Sequence, residues 1–448
     1  MSSIIFTPSQ ARAYAAMKRG ENVFLTGGAG TGKTTLIKEF IKDVDPECKK
    51  TLLCAPTGKA ALNMSIKTRY GEVQGSTIHR LFGIKAETAP QFRGGVPKLI
   101  QNAERIIIDE ISMCRMDVFD YVADTISEEV YNNFIRSLEG RPLQIILVGD
   151  FFQLPPVVRT TAAEGNSDKE ILNAKYRCDI GKAYCFQSPG WDTLDIKTHE
   201  LTEIMRQKDV GFCDALNKIR IGDPSGIDFI NKNCDHSPFQ PDRITLCGTN
   251  RNADAINDAM LQRNPNEKIT FQWDIESKIQ YPDSYLKNVQ CVKNLTLCKG
   301  ARVICIANNP SAVNGQMGEV TYVGEDHVRV KWDGGEENRV DAYEWEIARQ
   351  ELKEGKDGKK EIKRSVVLKI SQLPLKIAYA ITIHKSQGET LPAANIMTDT
   401  FETGHLYTAL SRCADVHKMR LRRQLRPADV KSDKIINIFY ESVEYDTD

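Results

Sequence analysis

The segment Gly27-Gly28-Ala29-Gly30-Thr31-Gly32-Lys33-Thr34 fits the pattern G-x-x-x-x-G-K-[ST], and it constrains this chain more than any other stretch. Glycines allow the tight turn that aims backbone N–H groups at phosphate oxygens. In such a loop Lys33 neutralises the β and γ phosphates, and Thr34 offers its hydroxyl to Mg²⁺. The flanks suit the pattern: Asn22 to Leu25 predicts a strand before the loop, and Thr34 to Ile41 a helix after it. A chance match is expected in only on the order of one chain in a hundred at average composition. A nucleoside triphosphate with Mg²⁺ is therefore the expected ligand.

A phosphate loop of this kind needs a parallel sheet behind it, and the first half of the chain predicts one. Val23-Phe24-Leu25, Leu52-Leu53-Cys54, Ile106-Ile107-Ile108 and Ile145-Ile146-Leu147-Val148 are continuous apolar runs separated by helical patterns. Such runs read as strands buried on both faces of an α/β layout, with ligands beyond their carboxyl ends. A second α/β pattern starts near Phe186, includes Ile244 to Cys247 and a helical stretch from Asn252 to Gln262, and resumes at Leu375 to Ala380 before a helix at Leu406 to Ser411. Between these pieces, residues 300–374 alternate apolar and polar, and Asp333-Gly334-Gly335 and Asp357-Gly358 read as hairpin turns. This predicts a small antiparallel barrel inserted in the second α/β domain. A shorter irregular insert, about 84–102, interrupts the first.

The length of 448 residues admits about three domains. Sixty basic and sixty acidic residues cancel, so a nucleic-acid surface has to be local or to rest on backbone donors and stacking. Affinity for a polyanion should then fall only moderately with salt. No run of about 18 apolar residues predicts a membrane span, and the N-terminus lacks the pattern of a signal peptide. The 12 cysteines form no Cys-x-x-Cys pair, which argues against zinc and a disulfide framework and for a reducing compartment.

Several further segments carry chemistry. Arg105 to Ile108 is an apolar strand that delivers Asp109-Glu110 at its end; Asp109 suits the metal, and Glu110 suits the attacking water. Gln153 follows another strand end, where its amide could sense the γ-phosphate or be a polar turn residue before Pro155-Pro156. Arg206 and Arg412 lie in the second half; an arginine across a cleft stabilises transition-state charge, although most single arginines are solvated or salt-bridged. Thr7-Pro8-Ser9-Gln10 reads locally as a capping box that opens the first helix.

Loops after the strands offer groups for DNA. Pro56, Thr57 and Lys59 stand at a helix start, where N–H groups suit a phosphate. Thr77 and His79 in one half, and Thr382, His384 and Lys385 in the other, present matching hydroxyl, imidazole and cationic groups. Phe92, inside the short insert, either stacks on a base or closes a small local core.

Taken in order from Gln10 to Arg412, these motifs resemble the superfamily 1 class B DNA helicases, and most closely the petite integration frequency (PIF) family, with RecD and Dda as relatives. The segment Ala380-Ile381-Thr382-Ile383-His384-Lys385-Ser386-Gln387-Gly388 is the most specific match. The resemblance implies two RecA-like domains with ATP between them: 1–185 as the first, 186–309 with 373–448 as the second, and an SH3-like insert at 310–372. It implies that Gln10 contacts adenine, that Gly27, Gly28, Ala29, Gly30, Thr31, Gly32, Lys33, Thr34, Thr35, Gly388 and Glu389 hold ATP, and that Gln153, Arg206 and Arg412 face the γ-phosphate. It assigns Thr249 and Asn250 to DNA beside the groups above, and places Phe92 in a strand-separating pin.

The implied activity is ATP-dependent 5′→3′ translocation on single-stranded DNA with unwinding at forks. A regulatory ATPase that clamps nucleic acid without unwinding is the alternative. The expected setting is a soluble intracellular monomer (in cytoplasm or nucleoid, or virus-encoded in an infected cell) working with replication, repair or recombination proteins. One departure stands out: Glu139 to Gln144 replaces the family's usual Phe-Gly-Gly. The lack of a long accessory extension predicts a compact motor.

Overall fold

A computed structural model describes residues 5–64, 66–68, 71–73, 75–85, 89–137, 143–160, 167–240, 243–277, 291–307, 309–312, 315–354, 360–399 and 402–443. The predicted turn at Asp357-Gly358 and the substituted stretch from Glu139 to Pro142 lie outside them. Two compact units make up the chain: residues 1–240, 246–248 and 382–448, and residues 241–245 with 249–381.

The first unit is built on a six-stranded parallel sheet. Its strands are β1 (Val23–Gly27), β2 (Thr51–Ala55), β3 (Ser76–Thr77), β4 (Arg105–Ile108), β5 (Gln144–Val148) and β6 (Lys197–Leu201), in spatial order β3-β2-β4-β5-β1-β6. Val23 stands opposite Ile146 on one side and Lys197 on the other. The four predicted apolar runs are its four central strands, and β1 and β5 are buried at every position. Helix α1 (Pro8–Arg19) and helix α2 (Lys33–Val44) cover one face, where Ala13, Met17, Leu36, Ile37, Phe40 and Ile41 meet Leu25, Ile107 and Ile146.

The other face is aromatic. Phe24, Phe119, Phe151 and Trp191 form its core. The helix Lys434–Ser442 packs there: Phe439 stacks on Phe186 at 4.3 Å, and the Tyr440 hydroxyl meets the Thr26 hydroxyl at 2.7 Å. The C-terminal helix thus covers the sheet that carries the phosphate loop. The strands Ala394–Ile396 and Met419–Leu421 pair in parallel elsewhere in the same unit.

The second unit carries helix Asn250–Arg263 and an antiparallel sheet ordered Glu337–Val340, Val328–Trp332, Met317–Val323, Arg302–Cys305, Leu375–Ile377. Val328, Val330 and Trp332 are buried while Arg329 and Lys331 are exposed, which is the alternation read from sequence. Asp333 to Gly335 makes the predicted turn. The sheet reaches beyond 310–372 at both ends. Leu375–Ile377 does not continue an α/β sheet as expected; it pairs antiparallel with Arg302–Cys305, because a short apolar run fits either kind of strand. A second antiparallel sheet joins Asp274–Ser277, Lys360–Gln372 and Tyr343–Glu354.

Candidate functional site

A cavity of about 510 Å³ in the first unit gathers the predicted triphosphate chemistry. Ala29, Gly30, Gly32, Lys33, Thr34 and Thr35 form one wall, and Asp109, Glu110, Gln153, Arg206, Gly388 and Arg412 complete it. Local structure explains the convergence. The loop runs from the carboxyl end of β1 into α2, Asp109 and Glu110 follow β4, and Gln153 follows β5. Parallel strands deliver all these residues to one sheet edge.

The loop is held from several sides. Lys33 Nζ donates to the carbonyls of Gly27 at 2.7 Å and Gly28 at 3.0 Å, and burial lowers its pKa. The Thr31 hydroxyl donates to the Gly28 carbonyl at 2.9 Å. Gly30 has φ +83, and a Cβ there would lie 2.6 Å from the Arg206 Cβ, so glycine is needed both for its conformation and for its size. The Gly30 carbonyl accepts from Met205 N at 2.8 Å, which ties the arginine segment to the loop.

Burial, and then the neighbouring Glu110, pushes the Asp109 carboxyl well above the usual range. Burial raises Glu110 too, opposed by Arg412, Lys33 and a 2.8 Å hydrogen bond that Gln387 Nε2 donates to Glu110 Oε2. Asp109 is buried, Glu110 beside it is half-buried, and their surroundings disfavour two adjacent negative charges. A divalent cation held by Asp109 and the Thr34 hydroxyl would offset those charges, so the residues present fit Mg²⁺.

The two arginines are held differently. Arg412 is fully buried, donating to the carbonyls of Thr408 (2.8 Å), Ser386 (3.4 Å) and Glu389 (3.4 Å) and to the Ser411 hydroxyl (3.0 Å). Burial and the nearby Arg206 bring its pKa down to about 10. Arg206 is half-buried and donates to the Ser411 carbonyl at 3.1 Å. Gln10 forms the predicted capping box, with its Oε1 accepting from Thr7 N at 3.1 Å. Its Nε2 donates to the Thr31 carbonyl at 3.1 Å, so the cap also braces the phosphate loop.

Some contributors escape a reading of the sequence. Asp150 is buried against Arg220, whose Nη2 donates to Asp150 Oδ1 at 3.0 Å and whose Nη1 donates to Glu200 at 3.1 Å. Asp150 is also the charge that most favours protonated Lys33. Asp150 stands in a segment noted for Gln153; Arg220, at the end of the helix Val210–Ile221, has no local signal at all. Lys38 and Asn63 also line the cavity.

The nucleic-acid candidates fall into separate groups. Pro56, Thr57 and His79 line a second cavity of about 360 Å³ in the first unit, with Arg115 and Val157. Thr77 caps a short helix, its hydroxyl accepting from Arg80 N at 3.3 Å. Lys59 lies in α3 (Gly58–Asn63), with its side chain outside the described residues. Phe92 is half-buried and packs edge-on against Tyr121 at 5.3 Å. Thr382, His384 and Lys385 share one 3₁₀ turn of the first unit, where Lys385 is exposed and burial lowers the His384 pKa. Thr249 and Asn250 start the helix of the second unit.

The chain is similar to known proteins over most of its length. A family profile described as an AAA domain matches residues 10–159. The ATP-dependent DNA helicase Pif1 of Bdellovibrio bacteriovorus is 29% identical over 455 residues, covering 98% of this chain and 93% of that protein. A crystal structure of Pif1 helicase from Bacteroides in complex with ADP-AlF3 and single-stranded DNA superposes with a TM-score of 0.73 at 29% identity, over 98% of this chain and 97% of that one. A structure of two coordinating Pif1 helicases at forked double-stranded DNA gives a TM-score of 0.72 at 28% identity, over 98% and 97%. Likeness in sequence and in fold thus runs through nearly the whole chain, and the proteins it is similar to are Pif1 helicases.

Proposed function

We propose that this protein is an ATP-dependent DNA helicase that moves 5′→3′ along single-stranded DNA and unwinds duplex DNA. One observation carries the reading: a single cavity holds the phosphate loop, the Asp109–Glu110 pair, Gln153, Arg206 and Arg412. These are the groups that phosphoryl transfer needs, since its catalysis is positioning plus electrostatic stabilisation.

In this reading Lys33 and the loop amides hold the β and γ phosphates. Thr34 and Asp109 hold Mg²⁺, which when bound neutralises charge developing on the phosphate oxygens. Glu110 orients the attacking water, Gln153 reports the γ-phosphate, and Arg206 and Arg412 stabilise the transition state. Gln10 faces the adenine. Pro56, Thr57, Lys59, Thr77, His79, Thr249, Asn250, Thr382, His384 and Lys385 grip the strand, and Phe92 stands at the fork. The RecA-like domains span 1–185 and 186–301 with 378–448; the SH3-like insert, expected at 310–372, takes in the strands Arg302–Cys305 and Leu375–Ile377 of its sheet. The protein acts as a monomer on single-stranded and forked DNA inside the cell, alongside replication or repair proteins. Among the described residues no helix is long and apolar enough to cross a membrane.

Paired assays test this. ATP hydrolysis should rise with single-stranded DNA, and a 5′-tailed duplex should be unwound while a 3′-tailed one is not. Stimulated hydrolysis with no strand displacement on either substrate would instead identify a nucleic-acid clamp.

A further inference from the structure

The turn that carries the DNA candidates also carries a direct hold on the hydrolytic carboxylate. His384 and Lys385 lie in the 3₁₀ turn Ile383–Ser386, half-buried and exposed respectively. At Gln387 the backbone leaves the turn for an extended conformation (φ −60, ψ 140). The side chain is thereby directed inward and is buried. Its Nε2 donates to Glu110 Oε2 at 2.8 Å, across 277 residues of sequence. Its Oε1 is buried and has no hydrogen-bond partner among the described residues, so the bond to Glu110 is what holds the amide.

Glu110 is itself constrained. It has φ +52, a left-handed conformation that non-glycine side chains rarely adopt. Its carboxylate is thus aimed by the chain and tethered at one oxygen by Gln387. Arg412, Lys33, Asp150 and the neighbouring Asp109 are charged groups around it. Gly388 follows at φ +78, in the left-handed region; a Cβ there would come within 2.8 Å of Asn63 Nδ2, the movable end of an exposed side chain. The segment therefore has a hinge-permitting residue immediately beyond the amide.

We propose that Gln387 is a positioning residue that couples DNA to hydrolysis: without DNA its amide holds the Glu110 carboxylate away from the attacking water, and a strand gripped by His384 and Lys385 shifts the turn and releases it. The proposal rests on the helicase reading above. No bond to Gln387 changes in the reaction; it acts only through Glu110.

Two variants test it, measured with Mg-ATP in the presence and absence of oligothymidylate. Gln387→Met keeps the length and bulk of the side chain but cannot donate; Gln387→Ala removes it. Both should raise the DNA-free kcat by about tenfold, the size of one hydrogen bond to a charged group, with KM for ATP unchanged. The ratio of stimulated to unstimulated rate should fall by the same factor. Amide hydrogen exchange across residues 386–389 of the wild-type protein, read without nucleotide, should also change on adding oligothymidylate. A stimulation ratio in both variants equal to wild type, or a proportional loss of both rates, would overturn the proposal and leave the helicase reading standing. Absence of stimulation in the wild type would overturn both.

Discussion

The Tyr407 hydroxyl accepts the backbone N–H of Ala29 at 2.7 Å, joining the middle of the phosphate loop to a helix 378 residues away. Tyr407 is buried, and burial raises its pKa far above the ordinary phenol value, so it is a neutral hydroxyl at working pH. In the function proposed above, the loop presents this N–H to the nucleotide. The phenol and a phosphate oxygen therefore compete for one donor.

This competition predicts an asymmetric effect of Tyr407→Phe. Without nucleotide, the Ala29 N–H loses its partner at a cost of about 1–3 kcal/mol, and the melting temperature should fall. With Mg-ADP the phosphate supplies the missing acceptor. The thermal shift on adding Mg-ADP should therefore be larger in the variant than in the wild type. Equal shifts would show that the two oxygens do not compete.

The two arginines should separate chemistry from architecture. Arg206 donates a side-chain hydrogen bond to the Ser411 carbonyl and is half-buried. Arg206→Ala should lower kcat by roughly 10³ while nucleotide binding and the melting temperature change little. Arg412 is buried and satisfies three carbonyls and a hydroxyl. Arg412→Ala should lose turnover and also about 2 kcal/mol or more of stability, because those acceptors stay buried without a donor. Single-turnover rates and melting curves on both variants check the contrast.

Two glycines with nearly the same φ should respond differently to alanine. Gly20 (φ +85) ends α1, and nothing lies within 4 Å of where a Cβ would stand, so Gly20→Ala meets only backbone strain of about 1–2 kcal/mol. Gly30 (φ +83) faces the Arg206 Cβ at 2.6 Å and Gln207 Oε1 at 2.9 Å. Gly30→Ala should add displacement of Arg206 to the same strain, and so lose hydrolysis as well. Urea unfolding separates the shared strain from the clash. Full ATP turnover in Gly30→Ala would refute the argument.

How much of this is legible in the sequence follows from where the chemistry is written. The phosphate loop, Asp109–Glu110 and the strands behind them are contiguous segments, and each reads from its own residues. Gln10 reads as a cap from four residues, but its bond to Thr31 depends on packing. The Asp150–Arg220 pair and the Tyr407–Ala29 contact join residues far apart, and no local pattern marks Arg220. Ile435, Ile436, Phe439 and Tyr440 pack as one face of the helix Lys434–Ser442, and helical periodicity does not say which sheet such a face covers. Leu375–Ile377 misleads for a related reason: three residues of a short apolar run do not specify whether their partner runs parallel or antiparallel.

A histidine pair makes stability depend on pH. His405 is fully buried edge-on to His384 at 5.2 Å, and burial, then His384, brings its pKa down to about 4. Glu402 opposes that shift, while Lys431 and Lys182 add to it. The folded pKa lies below the unfolded value of 6.5. The contribution of His405 is therefore complete above 6.5 and is lost as pH falls from there toward 4, because the unfolded chain takes up a proton that the folded one resists. Carboxylates add their own slope in this window, so the difference between wild type and a variant is the informative quantity. His405→Phe keeps a ring against His384 and removes the titration. Its unfolding free energy should fall less than that of the wild type between about pH 7 and about pH 5. Parallel curves for the two proteins would show that His405 is not what makes the fold sensitive to acid.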